Sequence, residues 1–289
     1  VAYGGAFTSM FPERFLRREG KDFSIRTDGE HALCALADAL RTGGDWHDIP
    51  CLGYLENGTK TINPISGLES DIDNYGLPAI HCEKACFIEH DKVVEGDPQL
   101  STLSYEVIAS RGCPFTCSYC CCINLHRLFQ GTGTKYVRTR SVQSVMEELK
   151  IAKKVCKKLV FVHFYDEIFP NTPGWVDEFV VEYKKHIDLP FTIWSHPKMV
   201  DPEMLRKLKA VGLTEVIMGI QSGSPHIRKD VFHRYESNDD IIEATRVIHD
   251  SGVFWASYDF MLRHPFETLD TMKETYFLVK KMHLSLIHI

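Results

Sequence analysis

Ser110–Cys122 reads SRGCPFTCSYCCC, and five of the chain's ten cysteines lie in these thirteen residues. The segment follows a short apolar run at Tyr105–Ser110 and carries Pro114, so it reads as a stiffened loop leaving the end of a strand. Cys113, Cys117 and Cys120 are spaced C-x-x-x-C-x-x-C. A short loop with that spacing can turn three thiolates onto one inorganic centre. Thiolates suit zinc or iron–sulfur clusters. A closed structural zinc site takes four protein ligands. Three ligands leave one position open, and an open iron is where a cofactor or substrate binds, so the pattern argues for catalysis. The alternative is a zinc knot that recruits Cys121, Cys122 or His126 as fourth ligand. In the three-ligand reading Cys121 and Cys122 are bystanders.

Working outward, one pattern repeats from Tyr105 onward: short apolar strand, polar loop, amphipathic helix. Strands are predicted at Tyr105–Ser110, Leu159–Tyr165, Phe191–Ser195, Glu215–Ile220 and Val253–Leu262. LVFVHFY, within the second, is nearly all apolar, as a strand buried on both faces should be. Ser141 can cap the first helix, whose Val142, Val145, Met146 and Leu149 share a face. Further helices are expected from Pro173 and Pro202 as first helical residues, from about Asn238 to Gly252, and from near Thr268. Five successive β-α units with right-handed crossovers make a parallel α/β structure, either an open sheet or a partial barrel.

The N-terminal part is different. Val1–Tyr3 and Phe23–Ile25 read as strands, and Phe11–Glu19 and Glu30–Arg41 as helices. Asn57-Gly58 is a hairpin signal. The expected domains are therefore 1–50, a small α/β remnant; 51–100, a linker; 101–283, the β-α core; and 284–289, LSLIHI, a non-native tail. Both termini read as cut, and the chain is expected to be a fragment.

Hydrophobic residues make up 44% and charged residues 25% of the 289, with a net charge of −6. Those values describe a globular protein with a sizeable core. They give no broad basic face for nucleic acid. No apolar run reaches membrane-spanning length and none reads as a signal peptide. The expected compartment is the cytoplasm, where thiols stay reduced. Cys82 and Cys86 repeat C-x-x-x-C without a third cysteine in reach and read as structural; Cys34, Cys51 and Cys156 read as packing residues.

The cysteine loop, with Tyr119 just before the third cysteine, resembles the signature of the radical S-adenosylmethionine (SAM) superfamily. The resemblance implies a [4Fe–4S] cluster on Cys113, Cys117 and Cys120, with SAM on the fourth iron. It implies reductive cleavage of SAM to a 5′-deoxyadenosyl radical. It also implies a TIM-like partial (β/α) barrel, with the cofactor at the strand ends. On that reading Tyr119, Asp166 or Glu167, Ser195, Gln221, Ser222 and Arg234 are cofactor-binding candidates. Asp166 or Glu167 would take the SAM ammonium and Arg234 its carboxylate; Ser195 would reach the cofactor carboxylate or ribose hydroxyls, and His196 would instead face substrate. Gln221 stands where relatives carry Glu, and Arg263 where Gly is usual. VAYGG with DGEHALCALADAL, and YVRTRSVQSVMEEL after the loop, resemble the cobalamin-binding-domain-containing class of that superfamily. There Gly4 and Gly5 would let backbone approach cobalamin, and residues 1–50 would be the C-terminal remnant of a Rossmann-like cobalamin domain. The implied function is cobalamin-dependent methylation or rearrangement of a small molecule, with an electron donor such as flavodoxin or ferredoxin. The alternative is a non-catalytic zinc- or cobalamin-binding protein.

Overall fold

The structure, a computed structural model, describes residues 1–80 and 85–284. Cys82 and residues 285–289 lie outside the described residues, so neither the Cys82–Cys86 reading nor most of the 284–289 tail meets any structural observation. The chain groups into two compact units. One comprises Val1–Tyr75 with Gly112–Arg138, the other Gly76–Arg111 with Thr139–Ile289. The sequence divisions at 50 and 100 do not fall on these boundaries.

The first unit opens with β1 (Ala2–Tyr3) and α1 (Ala6–Met10), followed by a 3-10 turn at Pro12–Phe15. The helix expected over Phe11–Glu19 is absent. Phe11 takes φ −132°, ψ 59°, which ends α1, and Pro12 restarts the chain as a single tight turn. β2 (Phe23–Ile25), α2 (Glu30–Thr42), β3 (Leu52–Glu56) and β4 (Thr59–Ile62) follow. They form a sheet in the order β1-β2-β3-β4, parallel at its first pair and antiparallel beyond. Asn57 and Gly58 turn the β3–β4 hairpin with φ of 48° and 73°, the positive pair that a two-residue hairpin needs. Phe23, Ile25, Leu36 and Leu52 make the small core. α3 (Cys121–Phe129) also belongs to this unit; its first two residues fall in the segment expected to be loop.

The second unit begins with a hairpin, β5 (Cys86–Glu89) and β6 (Lys92–Glu95), turned by His90 and Asp91, both at positive φ. β7 (Ser104–Val107) follows, and two short strands, β8 (Ser110–Arg111) and β9 (Arg138–Thr139), flank the cysteine segment. β10 (Phe161–Phe164), β11 (Phe191–Ser195), β12 (Leu213–Gln221) and β13 (Trp255–Phe260) then alternate with α4 (Val142–Val155), α5 (Pro173–His186), α6 (Pro202–Ala210) and α7 (Asn238–Asp250), and α8 (Leu269–Val279) closes the series. The sheet order is β13-β12-β11-β10-β7, parallel throughout. Each strand therefore lies beside its predecessor in the series, the winding of a barrel rather than of a doubly wound sheet with a switch point. Ser141 accepts from the Ser144 N–H and caps α4; Asp201 does the same for α6 through Met204. The core lies between sheet and helices, with Phe164, Phe179, Ile193, Leu208, Met218 and Ile241 essentially inaccessible. Cys156 and Cys51 are buried, as expected of packing residues. Cys34 is exposed, because α2 turns it away from the core side that carries Ala32 and Leu36.

Candidate active site

The cysteine loop sits in the first unit. Gly112 opens it at φ +88°, and a Cβ there would lie 2.5 Å from the carbonyl oxygen of Tyr136, so both conformation and space require glycine. The Cys120 N–H donates to the Cys117 carbonyl at 3.1 Å and closes the turn, and α3 starts at the next residue. Cys113, Cys117 and Cys120 are each half-buried, and none of the described cysteines is in a disulfide. Cys113 and Cys120 pack against Cys122, Phe129 and Tyr136, with Leu68 and Leu125 beside them. The His126 ring stacks on Tyr136 with centroids 5.1 Å apart and planes 12° from parallel. Arg138 spans the edge of this floor: its guanidinium lies 5.0 Å from the Phe129 ring centre and pairs with Asp28.

Three reduced, half-exposed thiols on one glycine-opened loop over an apolar floor are a donor set that fits an iron–sulfur cluster. Cys121 and Cys122 are nearer than bystanders need be. Among the described residues, the sulfurs of Cys120, Cys121 and Cys122 lie within 4.8 Å of one another, close enough to share a single ion. Burial and the neighbouring Cys120 push the Cys121 thiol pKa up. In a cluster each cysteine binds its own iron, so its ligands need not crowd together in this way. Tyr119 is 40% exposed.

The remaining candidates lie at the strand ends of the second unit. Asp166, after β10, is 2% exposed. Its Oδ1 accepts from both the N–H and the hydroxyl of Ser110, each at 2.6 Å, while Oδ2 has no hydrogen-bond partner among the described residues. Burial pushes its pKa up to about 7, against the lowering effect of the Ser110 and Ala109 hydrogen bonds. Asp166 thus fastens the strand residue three positions before Cys113. Glu167 is exposed.

Ser195 and His196, after β11, are both buried. At the end of β12 the register with β13 slips by one residue, and Gln221 follows the slip at φ +71°. The next residues are held tightly. Arg228, 1% exposed, donates to the Ser222 carbonyl at 2.6 Å, to Asn238 Oδ1 at 2.6 Å and to the Glu236 carbonyl at 3.3 Å. The Gly223 N–H donates to Thr275 Oγ1 at 2.9 Å, and a side chain on Gly223 would collide with the backbone at Thr275. Arg234 is buried too: Nε donates to Glu236 Oε1 and Nη2 to the Gly219 carbonyl, both at 2.6 Å. After β13, Arg263 holds φ +61°, and its N–H is capped by Glu267. That left-handed conformation is one that glycine adopts without strain and a side-chain-bearing residue rarely does.

Within this unit, then, Gln221, Ser222 and Arg234 gather at the end of β12, and Asp166 stands apart at Ser110. Arg228 and Glu236 were not read from the sequence. No local pattern marks them: Arg228 stands next to Lys229 and Asp230, and Glu236 directly precedes the Ser237 capping box of α7. A buried guanidinium, a buried carboxylate oxygen without a partner and small polar side chains are groups that fit an amino acid-bearing cofactor such as SAM. Gly4 and Gly5 have no atom within 4 Å of where a side chain would start, so the backbone there is open to approach.

The sequence profile of the radical SAM superfamily matches residues 107–279. An uncharacterised methyltransferase of Pyrococcus horikoshii is 27% identical over 286 residues, 98% of this chain and 58% of that protein. The anaerobic magnesium-protoporphyrin IX monomethyl ester cyclase of Rubrivivax gelatinosus is 23% identical over 282 residues, covering 93% of this chain and 46% of that one. Among solved structures, the radical SAM methyltransferase TsrM of Kitasatospora setae superposes with a TM-score of 0.73 at 19% identity over 99% of this chain and 54% of that chain. The cobalamin-dependent radical SAM enzyme OxsB, with aqua-cobalamin and SAM bound, gives 0.72 at 16% identity over 96% and 38%. The chain spans roughly half the length of these relatives, and the likeness to the two solved structures establishes shared architecture. With the profile covering more than half of its residues, the chain belongs to the radical SAM superfamily.

Proposed function

We propose that this chain carries the catalytic core of a radical SAM enzyme that modifies a small molecule, by cobalamin-dependent methylation or rearrangement. The observation that carries the reading is the loop of three half-buried cysteines, none in a disulfide, opened by Gly112 in the span that matches the superfamily. Cys113, Cys117 and Cys120 would hold a [4Fe–4S] cluster. Such a cluster would supply the electron for reductive cleavage of the SAM sulfonium to a 5′-deoxyadenosyl radical.

The protein's own residues bind and orient. Arg234, held by Glu236 and Gly219, would bring its guanidinium charge to the SAM carboxylate. Asp166 Oδ2 or the exposed Glu167 receives the ammonium. Ser195, Gln221 and Ser222 complete the cofactor set, and Tyr119 stands beside the third cysteine. Gly4 and Gly5 leave room for cobalamin to approach. The methyltransferase and cobalamin-dependent relatives support this chemistry. A flavodoxin or ferredoxin would supply electrons in the cytoplasm. Among the described residues no helix is long and apolar enough to cross a membrane.

Anaerobic reconstitution with iron and sulfide, an absorption spectrum and a SAM-cleavage assay test the proposal together. A brown protein that releases 5′-deoxyadenosine on reduction is the expected result. An intact cluster with no release defeats the catalytic reading. A colourless protein that retains zinc favours the second reading, a zinc-binding protein, for which the clustered Cys120, Cys121 and Cys122 sulfurs speak.

A further inference from the structure

The cysteine loop gathers thiols in a second way that the proposed cluster does not use. The sulfurs of Cys120, Cys121 and Cys122 lie within 4.8 Å of one another. Successive side chains on a helix diverge by about 100°, so three neighbours meet at one point only where the backbone changes course. It does so here. Cys120 is the extended N-cap of α3, with φ −93° and ψ 141°, and Cys121 and Cys122 are the first two helical residues. The Cys120 N–H is tied back to the Cys117 carbonyl at 3.1 Å, which fixes where the turn ends. Cys122 packs with Phe129 and Tyr136, whereas Cys121 is exposed and gives an ion its way in from solvent.

The spacing suits one ion. A metal–thiolate bond is about 2.3 Å long, so three sulfurs set evenly around one ion in a plane stand about 4 Å apart. Shifts of under about 1 Å bring the three to that distance. Among the described residues, no fourth Cys, His, Asp or Glu joins the group. A closed zinc site takes four protein ligands. Cu(I) is soft, favours thiolates and is satisfied by three of them.

From this geometry we infer that Cys120, Cys121 and Cys122 form a Cu(I) site that shares Cys120 with the proposed cluster, so that copper and the cluster exclude each other. The site itself stands on the three sulfurs; the exclusion rests on the cluster reading. Binding releases the thiol protons to solvent and changes no oxidation state. Copper would thus compete with cluster assembly through one shared ligand, without touching Cys113 or Cys117.

The test uses the full chain, anaerobic and without its cluster, and reads transfer of Cu(I) from its coloured bicinchoninate complex. The wild type should take up one equivalent. Cys113→Ser with Cys117→Ser should bind it with unchanged affinity, whereas Cys121→Ser with Cys122→Ser should bind it about a hundredfold more weakly or worse. No transfer to the wild type overturns the inference. An equal loss in the two double variants also overturns it, because copper would then sit on the cluster cysteines. Should the change at buried Cys122 prevent folding, Cys121→Ser alone removes an exposed ligand and should weaken binding about tenfold or more; wild-type affinity in that variant overturns the site. The second arm adds iron and sulfide in the presence of the same copper complex. In the wild type iron should enter only as copper leaves, and in Cys121→Ser with Cys122→Ser it should enter regardless. A wild-type chain that carries both overturns the shared ligand. If the wild type assembles no cluster even without copper, the cluster reading fails, and the copper titration decides the site by itself.

Discussion

Replacing Asp166 by Asn should flatten the loss of stability that the wild-type protein suffers between pH 5 and pH 8. The carboxyl is buried, and its pKa rises from 3.8 to about 7 on folding. Below pH 3.8 it is protonated in both folded and unfolded chains and has no effect on the pH dependence. Between 3.8 and about 7 the unfolded chain is ionised while the folded one keeps its proton, so stability falls as pH rises. Above 7 the folded protein bears the full charge penalty. From pH 5 to the folded pKa is about two units, and at about 1.4 kcal/mol per unit the wild type should lose about 3 kcal/mol that the variant does not. The Asn Oδ1 can still accept both Ser110 bonds, so at pH 5 the two proteins should agree within about 1 kcal/mol. Urea unfolding of the apoproteins at the two pH values, under reducing conditions, measures the difference. The same gap between wild type and variant at pH 5 and pH 8 would refute the reasoning, since it would mean that Asp166 does not titrate as a buried group.

Cys113→Ala, Cys117→Ala and Cys120→Ala should each abolish cluster assembly, read as iron content and visible absorption, whereas Cys121→Ala with Cys122→Ala should not; a bleached double variant would mean that the three-ligand assignment is wrong. Gly112→Ala places a methyl group against the Tyr136 carbonyl at a positive φ and should destabilise the loop by about 1–3 kcal/mol, visible as faster proteolysis within residues 112–138. Arg228→Met leaves three acceptors without their donor, two of them buried, and should cost about 3 kcal/mol or more in chemical denaturation; a loss under about 1 kcal/mol would show that the Ser222 turn holds itself.

The β-α series was legible because period and punctuation agree. The Val142–Leu149 stripe, the Pro173 and Pro202 starts and the apolar LVFVHFY each have one geometric solution. Asn57-Gly58 fixed its hairpin for the same reason. Phe11–Glu19 misled because its apolar spacing suits a helix, whereas Pro12 and the backbone of Phe11 break it into two short turns. α3 was hidden because CCINLHRLF was read for its thiols, and its stripe of Cys122, Leu125 and Phe129 went unweighed. Within the site, spacing exposed Cys113, Cys117 and Cys120, and strand ends exposed Asp166 and Arg234. Glu236 and Arg228 act through tertiary contacts with Arg234, Ser222 and Asn238, and nothing in local pattern distinguishes them from solvated charges.

The cysteine segment, Gly112–Arg138, takes its floor from residues encoded before Tyr75. Arg138 donates to the Glu69 carbonyl at 2.8 Å and pairs with Asp28, Thr134 donates to the Leu68 carbonyl at 3.2 Å, and Leu68 packs beside the thiols. Exchange of modules between relatives by recombination is therefore constrained. A crossover placed between the N-terminal unit and the β-α series would pair the cysteine loop with a foreign support, even though both pieces retained every motif. Inheritance of the two as one cassette is what this arrangement favours, and a graft of this loop onto another β-α scaffold would need residues 1–75 to travel with it.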